Sequence, residues 1–135
     1  MAELRQFISE EEFLAKNLTG KGIYFGDGNF GESHNGYHLH GEVKSWRIEQ
    51  NQLILTLKWA EILYNDTHSK DDWIPCDEDR LVQQIILTPR TNFKDCGDKI
   101  YVREMKPLPK RRKNIDWTFI YFDMTTPPVK KAKKY

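Results

Sequence analysis

Two stretches of this chain alternate apolar and polar residues with a period of two, and only four polar residues separate them. Over residues 37–44 the odd positions are Tyr37, Leu39, Gly41 and Val43, and the even ones are His38, His40, Glu42 and Lys44. Successive side chains of a strand point to opposite faces, so this pattern predicts a strand with one buried face. The phase then slips, because Trp46 and Ile48 are apolar and even; a bulge near Ser45 produces such a slip. Leu53, Leu55, Leu57 and Trp59 alternate with Ile54, Thr56, Lys58 and Ala60, which predicts a second long strand. Glu49-Gln50-Asn51-Gln52 between them reads as a short turn, so the pair forms a long hairpin.

Further runs have the same character. Residues 22–25, 81–88, 99–105 and 115–124 read as strands, with Pro89 and Pro107 stopping two of them. The run 115–124 is apolar on both faces, with Ile115, Trp117, Phe119 and Tyr121 on one side and Ile120 and Phe122 on the other. We expect Leu55, Leu57, Trp59, Ile85, Leu87, Trp117 and Phe119 to form the core. One helix is signalled ahead of the strands. Ser9 and Glu12 have capping-box spacing, Ile8 and Phe13 hold the staple positions, Leu14 and Leu18 share a face over the expected helix 10–18, and Gly20 and Gly22 end it. The expected fold is mainly β: a small antiparallel β-barrel or strongly curved sheet of about six strands with an N-terminal α-helix.

A chain of 135 residues fits one domain, expected over 1–124, with a flexible basic tail over 125–135. That tail holds Pro127-Pro128 and four lysines and has little apolar surface to bury. No apolar run approaches the ~20 residues of a membrane helix, so no span is expected. The first ten residues lack an apolar stretch after a basic start, so we read no secretory signal and expect a cytoplasmic or nuclear protein. Cys76 and Cys96 are too few for a disulfide framework or a zinc quartet, and read as two ordinary thiols.

The net charge of +1 conceals an asymmetry: residues 1–105 carry −6 and residues 106–135 carry +7. The basic end contains Lys106, Lys110, Arg111, Arg112 and Lys113, then Lys130, Lys131, Lys133 and Lys134. Such runs neutralise phosphates and release counterions, which makes these residues the candidate nucleic-acid site. The aromatic residues Tyr24, Phe25, Tyr37, Trp46, Trp59, Trp73, Tyr101, Trp117 and Tyr121 supply rings on which bases stack. Pro109 through Lys113 also has the character of a nuclear localisation signal. The function expected is a non-enzymatic binding module that contacts nucleic acid. A protein-interaction module (inhibitor or adaptor) with an acidic or aromatic surface is the alternative. On that reading the basic end folds back on the acidic body.

A third reading is a small metal-dependent enzyme at His38 and His40. Residues two apart on a strand stand ~6.6 Å apart, so both imidazoles can reach one ion. Lys44 on the same face opposes a cation, and we expect no metal and no cofactor. Gly26-Asp27-Gly28-Asn29-Phe30-Gly31 matches G-x-G-x-x-G, but no helix signal follows it, so it reads as a hairpin loop. The acidic stretch 65–79 lacks the residue order of a calcium loop.

Overall fold

The computed structural model describes residues 7–27, 36–65, 73–104 and 117–132. Among these residues nine strands form one antiparallel sheet: β1 (Phe7–Ile8), β2 (Gly22–Asp27), β3 (Gly36–Glu49), β4 (Gln52–Asn65), β5 (Ile74–Pro75), β6 (Val82–Ile86), β7 (Asn92–Asp95), β8 (Lys99–Arg103) and β9 (Trp117–Asp123). Their order is β1-β7-β8-β9-β2-β3-β4-β5, and β6 pairs with the other half of β4.

The predicted hairpin is the centre of this sheet. β3 and β4 pair along their whole length, and Gln50 and Asn51 close the turn with φ of 52° and 61°. Positive φ at both central residues gives the two-residue turn whose twist matches the strands it joins. The pairing steps from Glu42↔Trp59 to Val43↔Leu57 to Ser45↔Thr56, so Lys44 and Lys58 are skipped. The slip expected near Ser45 therefore has a counterpart on β4. Leu53, Leu55 and Leu57 face inward before it, and Ala60 and Ile62 are buried after it.

The barrel alternative is corrected. Among the described residues the hydrogen-bonded ladder stays open, with β1 at one end and β5 and β6 at the other. β6 and β7 are consecutive but do not pair. Between them Thr88 N–H donates to Thr91 Oγ1, and the Thr91 hydroxyl donates to the Glu104 carbonyl. Side-chain oxygens take over the backbone partners there, and Pro89 has no N–H to offer a ladder. The inward residues of both ends, Phe93 and Ile85, nonetheless belong to one core cluster.

Helix α1 (Glu10–Leu14) is shorter than its sequence pattern. Ser9 Oγ accepts from the Glu12 N–H and Glu12 Oε1 accepts from the Ser9 N–H, both at 3.0 Å. Phe13 is fully buried, and its ring stacks on Phe93 at 4.4 Å and meets Phe122 at 5.6 Å. Lys16 Nζ reaches Asp95 Oδ2 at 2.8 Å and ties the segment after the helix to β7.

Two core expectations are corrected. Phe119 is half-buried on the outer face, whereas Ile120 and Phe122 are fully buried. β9 is apolar on both faces, so its alternation did not mark the inner one. Trp59 is also half-buried on the outer face, because the slip at Lys58 reverses the phase of β4. Trp117 lies in β9, but its side chain is outside what the structure describes.

Candidate functional site

The register of the sheet lines up three rows of outward side chains. The middle row runs Phe7, Lys94, Tyr101, Tyr121, Tyr24, His40, Glu61 across β1, β7, β8, β9, β2, β3 and β4. On one side of it lie Arg103, Phe119, Gly26 and His38, and on the other Lys99, Asp123, Gly22, Glu42 and Trp59. Cross-strand neighbours on one face touch, so rings in such rows stack. Tyr24 and Tyr121 stack at 5.2 Å and 17°, Tyr24 and Phe119 at 5.8 Å and 26°, and Tyr101 and Tyr121 meet at 5.7 Å. Lys99 Nζ stands 5.6 Å from the Tyr121 ring centre. Gly26 leaves room for this packing, since a Cβ there would lie 2.4 Å from the Phe119 ring.

Burial raises both tyrosine hydroxyls that anchor the row, Tyr24 to about 12, so they remain protonated donors at neutral pH. The Tyr24 hydroxyl hydrogen-bonds to Nδ1 of His38. Asp123 is held below the usual carboxylate range. Burial opposes this, but the N–H groups of Thr126 and Thr125 and the charge of Lys99 outweigh it.

At β3 and β4 the row ends in a polar pair. Glu61 is fully buried, and His40 Nε2 donates to its Oε1 at 2.6 Å. Burial is the largest influence on His40 and lowers its pKa from 6.5; the Glu61 hydrogen bond and charge oppose it, and Lys131 adds to the lowering. Burial thus disfavours the charged imidazole, and the contact with Glu61 is a hydrogen bond inside the sheet face. Edge-on contacts with Trp59 at 5.3 Å and Trp73 at 4.6 Å enclose the imidazole.

Glu61 takes two more donors from the far end of the chain. The Lys131 N–H reaches Oε1 at 2.7 Å and the Ala132 N–H reaches Oε2 at 3.0 Å. Residues 125–132, expected as part of a flexible tail with little to bury, lie across this face. Their anchor is polar, so an argument from apolar burial overlooks it. Asp123 Oδ1 accepts from the Thr125 and Thr126 N–H groups and turns the chain. Pro128 then covers Gly22, where a Cβ would stand 3.3 Å from the proline Cβ. Lys130 Nζ lies 5.6 Å from the Trp59 ring centre and Lys131 Nζ 5.1 Å from that of Trp73. A cleft of about 260 Å³ remains between this segment and the sheet, lined by Tyr24, His40, Tyr121 and Asp123 among others.

Of the nine basic residues proposed from sequence, Lys130 and Lys131 are on this face. Lys106, Lys110, Arg111, Arg112, Lys113, Lys133 and Lys134 lie outside the described residues. His38 and His40 do share a face, but Tyr24 engages one and Glu61 the other. Among the described residues no group of three metal-ligating side chains is arranged around one point. Cys76 is half-buried with its thiol pushed up to about 11, chiefly by burial, and Cys96 is exposed; both are free. The glycine-rich motif continues past Asp27 into residues that are not described. Sequence reasoning missed Glu61, the one charge in the run Ala60-Glu61-Ile62-Leu63, and that isolation was its signal.

Among the described residues no helix is long and apolar enough to cross a membrane. Comparison with protein families, with curated proteins and with solved structures finds no match to this chain.

Proposed function

We propose that the protein is a non-enzymatic binding module that engages single-stranded nucleic acid on the outer face of its sheet, in the cytoplasm or nucleus. The observation that carries this reading is the aromatic row Tyr101, Tyr121, Tyr24 with Phe119 beside it, flanked by Lys94, Lys99 and Arg103. Half-buried rings on an antiparallel sheet stack bases regardless of sequence, and nearby cations track the phosphates. The connection that carries Lys106, Lys110, Arg111, Arg112 and Lys113 joins β8 to β9, the strands that bear three of these four rings.

The test is binding of a mixed-sequence single-stranded oligonucleotide across a salt series. Four phosphate contacts give a log–log slope of about −3, at about −0.7 per contact for single strands. Replacing Lys110, Arg111, Arg112 and Lys113 by Ser flattens the slope, and Tyr101→Ala weakens binding without changing it. No binding at low salt refutes the reading. A second reading, a protein-interaction module, is favoured by a different observation, the seating of residues 125–132 over Glu61.

A further inference from the structure

Glu61, Trp59 and Trp73 hold a segment of the same chain by backbone hydrogen bonds and cation contacts. We infer that the groove over Glu61, Trp59, Trp73 and Gly22 recognises an extended segment of Pro-Pro-x-Lys-Lys chemistry presented by another protein, and that residues 127–131 of this chain occupy it in cis. This rests on the protein-interaction reading and not on the nucleic-acid one, whose rings Tyr24 and Tyr121 line the cleft beneath the same segment.

Each part of the groove reads one feature of such a segment. The carboxylate of Glu61 accepts two successive backbone N–H groups, from Lys131 and Ala132, which requires a locally fixed backbone but no particular side chain. The two indoles take the two adjacent lysines, Lys130 on Trp59 and Lys131 on Trp73. An ammonium over an indole face is attracted by the ring, and this selects cations over neutral side chains. Gly22 leaves the depression that Pro128 covers. Proline enters already extended, so ordering it costs little entropy.

The groove is also built rather than incidental. Glu61 is fully buried, and His40, itself held between two indoles, donates to it and fixes its orientation. None of these contacts needs covalent continuity with β9. A segment of the same chemistry on another chain can make all of them once the cis segment lifts. Tethering gives the cis segment a high effective concentration, so the outside segment binds with an affinity reduced by the fraction of time the groove is open.

The experiment uses the full chain. Lys131→Pro removes one of the two N–H groups that Glu61 accepts and so releases the cis segment. A fluorescent peptide of sequence 125–135 is titrated into this variant and into the parent, with anisotropy as the readout. The variant is expected to bind at least about tenfold more tightly than the parent, because the cis competitor is gone. Adding Trp73→Ala to the variant, or replacing both lysines of the peptide corresponding to Lys130 and Lys131 by Glu, is expected to abolish the gain.

Equal binding by parent and variant, or no binding to a folded variant at millimolar peptide, overturns the inference. So does equal binding of a scrambled peptide, which marks simple charge attraction. Displacement of the peptide by an unlabelled oligonucleotide with no effect of Trp73→Ala assigns the face to nucleic acid alone. Should Lys131→Pro fail to fold, a protease site is inserted between Thr126 and Pro127 of the parent and cut after folding. Retention of the freed segment through gel filtration, and its exchange for labelled peptide, support the inference; immediate loss refutes it.

Discussion

Replacing Glu61 by Gln tests the centre of the outer face with almost no change of shape. The carboxylate accepts three hydrogen bonds, at 2.6 Å from His40, 2.7 Å from Lys131 and 3.0 Å from Ala132. An amide offers one acceptor oxygen and turns an NH₂ toward a donor. A hydrogen bond to a charged group contributes about 1.5–3 kcal/mol, so losing three outright would cost more than ~4 kcal/mol. Two of the donors sit on a segment that can swing into water, which limits the loss. The His40 N–H stays in the sheet and keeps one acceptor. We expect a net cost of about 2–4 kcal/mol. Urea unfolding followed by circular dichroism reads it, and hydrogen exchange at the amides of Lys131 and Ala132 reads the release directly. In a Lys131→Pro background the same substitution should cost distinctly less, because one donor is already gone. A cost below about 0.5 kcal/mol with both amides still protected refutes the role assigned to this carboxylate.

Three further outcomes follow from the geometry. The lowered pKa of His40 means that the unfolded chain takes up a proton first as pH falls below 6.5; the urea midpoint therefore drops from pH 7 toward pH 5, and His40→Gln reduces that drop. Phe122→Ala costs about 3–5 kcal/mol from the core, whereas Phe119→Ala on the outer face costs clearly less, both by urea unfolding; the reverse order would place the wrong face of β9 inside. Gly41→Ala puts a Cβ 2.3 Å from the Trp59 carbonyl oxygen, a backbone atom that cannot step aside. It should lower the melting temperature more than Gly26→Ala, whose obstacle is the movable Phe119 ring.

Alternation reads well where one face of a strand is apolar and the other polar. That describes residues 37–44 and 53–57, and the hairpin, its turn and the slip near Ser45 were legible there. It fails where both faces carry apolar residues, because the period then has no sign; hence the inversion at Phe119 and Phe122. Strands of two to four residues, such as β1, β5 and β7, are too short to show a period and exist through their partners. The capping residues of α1 were legible. Its end at Leu14 was not, because Leu18 is buried in the core from outside the helix. The basic residues were visible as charge, but their seat was not. Glu61, Trp59 and Trp73 are separated in sequence from Lys130 and Lys131 by some sixty to seventy positions, and only the register of β3, β4 and β5 brings them together.

The polar character of that seat bears on how permanent it is. An apolar anchor resists release because its whole buried area must be wetted, whereas the contacts to Glu61 exchange for water at a small net cost per hydrogen bond, of order 1 kcal/mol for neutral pairs and somewhat more for this charged one. A buried carboxylate must nonetheless keep donors, so an emptied groove has to fill with water or with another peptide. Burial of Glu61 therefore requires an occupant without fixing which one. Selection passes to the flanking contacts, the two indoles and the depression at Gly22, which favour adjacent lysines behind a proline. A device meant only to lock the end of the chain would gain more from an apolar plug. A carboxylate reading backbone N–H groups suits a segment that leaves and returns.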